Sequence, residues 1–372
     1  MSETTPRSPR KRIAYIDILE VLAIFLVVYC HFSNTKGDSI PAHLIQLCSF
    51  TLVVPLFLMA NGALLFHHSF DLKKHVKRTL QLLIAVTVWR ILYYIIMDLT
   101  CPGSLDALTG RQILDYIFGY NLSDPLIPAD HFWYLYALIV ISLCFPVLKK
   151  VYDMEDKTIY RYVLWVLFIL VFGLGAIDRV ADYIARSRGN PSYSLSALRE
   201  SLLPIGDPGS YLFYFMLGPL VHDRFYQSGK KSHISIAFLV MAASFALLCL
   251  EKKLLGGGLT QQWELWTASY SRLGTLGFSL GLYILAAEIR WPGRSRLIPF
   301  LSMRTMNIYC IHMILSFLWV LWIDPRWHFE NLGLHLIRVL IVFAVSVLIT
   351  ELFTWIPGVR WVLAVQPKHP KK

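Results

Sequence analysis

The stretch RIAYIDILEVLAIFLVVYCHF, residues 12–32, decides the fold, because it is long and apolar enough to cross a membrane yet carries three ionisable side chains. At about 100° per residue, Asp17, Glu20 and His31 fall within about 60° of one another on a helix. Each such group costs about 2.5 to 3.5 kcal/mol at the centre of a bilayer, so we expect this face to turn towards the protein interior or a water-filled cavity. The alternative is that Asp17 and His31 lie at the two membrane interfaces and only Glu20 is interior.

The composition of the whole chain is that of a polytopic membrane protein. Of its 372 residues 56% are hydrophobic and 14% aromatic, and the mean hydropathy is +0.54, well above the values of soluble domains. The formal net charge of +11 comes from short clusters of Lys and Arg between apolar runs, which is typical of positive-inside topology and not of a nucleic-acid-binding face. The six cysteines form no CxxC pair and have no metal-ligand spacing, so no metal site is expected.

Apolar runs of about twenty residues predict an all-α fold with about ten membrane-spanning helices. The predicted spans cover residues 13–33, 45–66, 79–99, 132–148, 160–178, 210–222, 233–250, 270–288, 298–323 and 334–356. Lys and Arg are concentrated in alternate connections, which predicts that both termini are cytoplasmic. The chain then divides into a basic cytoplasmic tail, 1–12, one integral membrane domain, 13–356, and a second basic cytoplasmic tail, 357–372.

A basic segment, SFDLKKHVKR at residues 69–78, is predicted to form a cytoplasmic loop that runs straight into the third span. Its four cationic residues, Lys73, Lys74, Lys77 and Arg78, can together hold the phosphates of an acidic donor. The alternative is a positive-inside anchor that touches anionic lipid headgroups, and the cluster taken alone favours the anchor.

Two later segments combine aromatic residues with histidine. DHFWYLYALIV, residues 130–140, brings His131 and Trp133 to the outer mouth of the fourth span, where the aromatic rings can also form an ordinary interfacial belt. SMRTMNIYCIHMILSFLW, residues 302–319, puts Tyr309 and His312 deep in the ninth span. His312 can equally be a packing residue or line a site.

Taken together, these segments resemble the acyltransferase type 3 family, membrane O-acyltransferases that modify sugars of cell-surface polysaccharides, lipopolysaccharide or peptidoglycan. The resemblance runs through most of the chain. It consists of a basic lead into a first span that ends in histidine, followed by PLFLMANGALLF (55–66), KKHVKR (73–78), HFWYLYAL (131–138), YLFYFMLGPLV (211–221) and MNIYCIHMIL (306–315).

The resemblance implies that His31, which ends the first span, is the catalytic residue. It also implies that Lys77 and Arg78 take part in binding acyl-CoA, which is a donor substrate and not a bound cofactor. Two positions differ from the family pattern. Glu20 stands where the family usually has arginine, and Gln81 stands where it has a second arginine after the one that matches Arg78.

The chemistry of these residues fits acyl transfer. A neutral histidine with a pKa of about 6.5 can take a proton from a sugar hydroxyl that attacks a thioester, or it can itself carry the acyl group. Asp17 is about 20 Å from His31 along the helix, too far to orient it, so a partner must come from another span, with Asp130, His131 or Tyr309 as candidates. The residues expected to line the site are Asp17, Glu20, His131, Trp133, Tyr309 and His312.

The resulting hypothesis is an O-acetylating enzyme, or one that moves another short acyl group such as succinyl, in a bacterial inner membrane. It would transfer the acyl group from its coenzyme A ester to a hydroxyl of a cell-surface carbohydrate. Because coenzyme A is cytoplasmic and His31 lies towards the outer face, the acyl group would pass along the face of Asp17, Glu20 and His31. Expected partners are membrane lipids, acyl-CoA, the carbohydrate acceptor and glycan-synthesis proteins. The alternatives are a transporter or export component for a surface polysaccharide and a structural subunit of a glycan-assembly complex.

Overall fold

A computed structural model describes residues 12–32, 40–119, 127–189, 208–227, 233–255, 270–289, 291, 295–325 and 332–362. Residues 1–11 and 363–372, which make up most of the two predicted tails, lie outside these ranges. No β-strand occurs in the described part of the chain, and the prediction of an all-α membrane protein is confirmed.

The described helices run in chain order from α1 to α14, and shorter turns of helix join some of them. A 3-10 turn, Asp130–Phe132, leads into α5, while π-helical segments join α6 to α7 (Phe168–Gly173) and extend α8 (His222–Gln227). The helices are α1 (Ala14–His31), α2 (Ile40–Phe66), α3 (Leu72–Thr100), α4 (Gly110–Ile117), α5 (Trp133–Tyr152), α6 (Thr158–Leu167), α7 (Leu174–Ser187), α8 (Pro208–Val221), α9 (Ile234–Leu255), α10 (Leu273–Glu288), α11 (Leu297–Ser302), α12 (Thr305–Trp322), α13 (Leu332–Trp355) and α14 (Pro357–Val362).

Each of the ten predicted spans coincides with helix. Within the described ranges, 8 helical stretches are long and apolar enough to cross a membrane, and α10 is a shorter apolar helix of 16 residues. The remaining predicted span, 210–222, corresponds to α8, which has 14 residues before its π-helical extension. The fold therefore follows the hydrophobic pattern closely.

The basic segment before the third span is helical, so its prediction as a loop was wrong. α3 begins at Leu72 because the side chain of Asp71 accepts a hydrogen bond from the backbone N–H of Lys74, 3.1 Å away, and caps the helix. Lys77 and Arg78 therefore lie on successive positions of a helix and point about 100° apart around its axis.

α1 lies at the centre of the bundle and packs against α2, α10, α11, α12 and α13. α2 in turn packs closely on α8, where a Cβ atom on Gly62 would overlap the carbonyl oxygen of Phe215, and one on Gly218 would overlap that of Met59. Small residues at such crossings let two membrane helices approach through their backbones. This packing surrounds α1 with protein, which is why its ionisable residues can be tolerated.

We call the two ends of the bundle the Asp17 end and the His31 end, after the residues of α1 that mark them. Hydrogen bonds place the start of α1, the end of α2, the end of α5 and the π-helical segment after α8 together at the Asp17 end. Ring contacts place the end of α1, the turn before α5 and the middle of α12 together at the His31 end.

Candidate active site

Three histidine rings form a cluster around the end of α1. His31 is the last residue of α1, His131 lies in the turn before α5, and His312 lies in α12. The ring centroid of His31 is 5.2 Å from that of His312 and 6.1 Å from that of His131, and the latter two centroids are 5.3 Å apart. His131 and His312 are only 2% and 0% exposed, whereas His31 is exposed. His31 is therefore the member of the cluster that a substrate can reach.

The exposed His31 lies part-way along the bundle. The His31 ring lies beside His312. From His312 the helix α12 continues to Trp322, a further length of about 15 Å at 1.5 Å per residue. An exposed side chain at this depth lines an opening between helices, which is where membrane proteins place their reactive polar groups. This depth favours an interior position for His31 over a position at the membrane interface.

The hydrogen bonds of His312 fix its tautomer. Nδ1 of His312 lies 2.7 Å from the carbonyl oxygen of Tyr309 and 3.2 Å from that of Ile308. A carbonyl oxygen only accepts, so Nδ1 carries the proton and Nε2 of the neutral ring is an acceptor. This buried Nε2 has no hydrogen-bond partner within the described ranges.

The same argument applies to His131. Its Nε2 lies 3.4 Å from the hydroxyl oxygen of Tyr93, whose own proton is donated to the carbonyl oxygen of Cys310 at 2.8 Å. Nε2 of His131 is therefore the donor, and its Nδ1 is a buried acceptor for which the described part of the chain offers no partner. A buried polar atom left without a hydrogen bond costs about 1 to 3 kcal/mol, so these two atoms beside an exposed histidine make the cluster a candidate site.

Tyr309 holds the cluster in place from α12. Its hydroxyl donates to the backbone carbonyl of His131, and its ring centroid is 5.2 Å from that of His131 and 5.8 Å from that of Tyr134. The hydroxyl of Tyr134 in turn accepts a hydrogen bond of 3.3 Å from the side-chain amide of Asn61 in α2. Tyr309 thus supports His131, and the rings that pack on His31 are those of His312 and His131.

Trp133 begins α5, two residues after His131, and belongs to a separate aromatic group. Its ring centroid is 5.2 Å from that of Tyr211 and 6.0 Å from that of Tyr270, with ring planes inclined by 33° and 31°. Trp133 is 36% exposed, whereas Tyr270 is 8% exposed. We call Trp133, Tyr211 and Tyr270 the aromatic platform.

Asp17 and Glu20 come together at the opposite end of α1, around Ser302 of α11. Arg12 pairs with Asp17 at 2.5 Å and also donates to Oγ of Ser302 at 2.8 Å. Oγ of Ser302 is 3.0 Å from a carboxylate oxygen of Asp17 and 2.5 Å from one of Glu20. Asp17 is 5% exposed, so the acidic residues face the protein interior. Ser302 was not predicted, although it is the first residue of the segment that contains His312.

Lys77 and Arg78 are both exposed but line different surfaces of α3. Arg78 lines a cavity of about 250 Å³ with Lys74, His75 and residues of the α2–α3 connection. Lys77 lines a different cavity, of about 570 Å³, together with Lys73, Gln81 and apolar residues such as the exposed Leu80. The structure therefore does not bring the two predicted donor-binding residues into one pocket.

A second polar cluster, not predicted from the sequence, joins four helices at the Asp17 end. The Tyr152 hydroxyl donates to Asp223 at 2.5 Å, and the other carboxylate oxygen of Asp223 is 2.6 Å from Nε2 of His67. Nδ1 of His222 lies 2.6 Å from the hydroxyl oxygen of Tyr15. These contacts tie α1, α2 and α5 to the segment that follows α8.

No group of three or more His, Cys, Asp or Glu side chains in the described ranges has the arrangement of a metal site.

A family model described as an acyltransferase domain matches residues 13–355, nearly the whole chain. No curated protein and no solved structure matches the chain. The match covers both the histidine cluster and the acidic cluster of α1. This multi-pass membrane protein therefore belongs to the acyltransferase type 3 family and is an acyltransferase.

Proposed function

We propose that this acyltransferase moves a short acyl group, such as acetyl or succinyl, from its coenzyme A ester to a hydroxyl of a cell-surface carbohydrate. The observation that carries the proposal is the exposed His31 ring packed beside two buried histidines. A neutral imidazole with an accessible nitrogen is the group that such a transfer needs.

The chemical step balances with His31 as general base. The acceptor hydroxyl gives its proton to the imidazole as its oxygen attacks the thioester carbonyl, and the carbon–sulfur bond then breaks. The proton passes from the imidazolium to the thiolate, which leaves as free coenzyme A. If His31 attacks first, an acyl-imidazole forms and the hydroxyl then takes the acyl group, with the same products.

The donor would bind at the Asp17 end. Arg78 and Lys74 line a cavity there, and guanidinium and ammonium groups bind phosphates such as those of coenzyme A. Lys77, on the other face, would bind a second phosphate or a lipid headgroup. His31 lies about 20 Å from Asp17 along α1, so the thioester arm would extend into the bundle past Asp17 and Glu20.

The aromatic platform supports a carbohydrate acceptor. The C–H groups of a sugar ring pack well on the negatively polarised faces of aromatic rings, and Trp133 offers the most accessible of the three faces. The platform lies next in sequence to the turn that carries His131, so a sugar packed there would place a hydroxyl towards the histidine cluster.

The location and partners follow from the same proposal. The bias of Lys and Arg predicts that the Asp17 end and both termini lie in the cytoplasm, where coenzyme A esters are available. The protein would then lie in a bacterial inner membrane, in contact with membrane lipids and with the glycan-synthesis proteins that supply the acceptor.

Purified protein in liposomes, supplied with acetyl-CoA or succinyl-CoA, tests the proposal. We expect free coenzyme A to be released and an ester to form on added crude surface glycan. Both products should appear only when acyl-CoA and glycan are present together. A transporter or export component would instead move glycan across the liposome without any coenzyme A ester, and that outcome would replace the proposal.

A further inference from the structure

We propose that His312 is a positioning residue that accepts a hydrogen bond from His31 and thereby selects the tautomer in which His31 reacts. The inference rests on the proposed function, in which His31 is the reacting residue, and adds how its reactive nitrogen is chosen.

The acceptor character of His312 is built into α12. Its Nδ1 proton is held by the carbonyl oxygen of Tyr309 at 2.7 Å, one turn earlier in the same helix. Nε2 therefore presents a lone pair. The side chain is 0% exposed, and Nε2 has no hydrogen-bond partner in the described part of the molecule. Nε2 of His312 therefore needs a hydrogen-bond donor.

His31 is placed to be that donor. A linear N–H···N hydrogen bond of about 2.9 Å between two imidazoles sets their centroids about 5 Å apart, and the observed separation of His31 and His312 is 5.2 Å. The ring planes are inclined by 49°. The proposed hydrogen bond forms when the His31 ring turns about its Cβ–Cγ bond so that an N–H points at Nε2 of His312. His131 is farther away, at 6.1 Å.

This bond assigns distinct roles to the two nitrogens of His31. One nitrogen keeps its proton and donates to His312, and the other presents its lone pair to the substrates. When the acceptor hydroxyl gives up its proton, His31 holds both protons until it returns one to the leaving thiolate. His312 stabilises the intermediate imidazolium without gaining or losing a proton.

Kinetics of His312 variants test this role. His312→Leu removes the acceptor, and we expect kcat to fall on the order of a hundredfold while the KM values of donor and acceptor stay nearly unchanged. His312→Gln keeps an acceptor oxygen and should recover most of the lost rate. His335→Leu is the matched control, because His335 is another buried histidine, 3% exposed, whose ring packs on Tyr29. Melting curves of all variants establish that they are folded.

A second measurement does not depend on acyl transfer. The unprotonated nitrogen of an accessible imidazole attacks a carbonyl of diethyl pyrocarbonate and becomes ethoxycarbonylated, and mass spectrometry can follow this modification at His31. We expect His312→Leu to slow this modification several-fold, His312→Gln to restore it, and His335→Leu to leave it unchanged. An unchanged kcat or an unchanged modification rate in His312→Leu would overturn the inference. Inactive wild-type protein would refute the proposed function, and the modification rates would still decide the role of His312.

Discussion

Nε2 of His67 lies 2.6 Å from a carboxylate oxygen of Asp223, while Nδ1 of the same ring lies 2.7 Å from the carbonyl oxygen of Ala63. Both partners only accept, so the ring satisfies them fully when both nitrogens are protonated. Burial lowers the pKa of His67, but the hydrogen bonds to Asp223 and Ala63 outweigh burial and the net pKa is raised. Burial raises the pKa of Asp223, but hydrogen bonds from His67 and Tyr152 outweigh it and the net pKa is lowered.

We expect this pair to make the stability of the fold depend on pH. The His67 contribution is complete below its unfolded-state pKa of about 6.5 and is lost as the pH rises through its higher folded-state pKa. The Asp223 contribution is complete above about pH 3.9 and is lost as the pH falls through its lower folded-state pKa. His67→Gln should therefore destabilise the protein most between about pH 4 and 6.5, by about 1 kcal/mol or less because the pair is accessible to solvent.

Melting temperatures of the wild type and His67→Gln, measured in detergent across this range and up to alkaline pH, check the prediction. Tyr162→Phe is a control, because Tyr162 is 67% exposed. If the difference in melting temperature between wild type and His67→Gln grew as the pH rose, it would contradict the ion pair of His67 and Asp223.

Lys77 and Arg78 should differ in their effect on the donor. Arg78 lines the 250 Å³ cavity with Lys74 and His75, whereas Lys77 lines a separate cavity on another face of α3. Loss of one charge-assisted hydrogen bond to phosphate should raise the KM for acyl-CoA about tenfold in Arg78→Gln. Lys77→Gln should change it about twofold or less, and Lys150→Gln, which alters another exposed lysine, serves as control. Equal effects of Arg78→Gln and Lys77→Gln would show that the cavity is not the donor site.

Trp133 should affect the acceptor and not the donor. An aromatic stacking contact contributes about 0.5 to 1.5 kcal/mol, so Trp133→Ala should raise the KM for the glycan about three- to tenfold and leave the KM for acyl-CoA unchanged. Trp133→Phe keeps an aromatic ring and should raise the KM for the glycan less than Trp133→Ala does. Trp165, which is 63% exposed, provides the control substitution Trp165→Ala. If Trp133→Ala and Trp165→Ala behaved alike, Trp133 would be an ordinary residue of the membrane interface.

The fold could be predicted from the sequence to a large extent, because a helix that crosses a membrane must be apolar over a fixed length. The start of α3 could not, because it depends on one hydrogen bond, which the backbone N–H of Lys74 donates to the side chain of Asp71. That local bond extends the helix through a basic segment whose composition resembles a loop.

The polar face of α1 was also accessible to sequence reasoning, because Asp17 and Glu20 follow helical periodicity and the structure finds both around one serine. The approach of His312 to His31 was not, because it depends on how α12 packs against α1. The same limit applies to Glu351, whose pairing with Arg304 joins α13 to the start of α12 and has no signal in the sequence. Tyr93 was missed because a tyrosine in an apolar span has many ordinary roles.

The central claim is that His31 carries the transfer of the acyl group. The most direct test compares wild type and His31→Ala in liposomes for release of free coenzyme A from acetyl-CoA and succinyl-CoA, with and without surface glycan. We expect glycan-dependent release by the wild type and a loss on the order of a thousandfold in folded His31→Ala, because both the base and the nucleophile are removed. Glycan-dependent release that persisted unchanged in His31→Ala would contradict the claim.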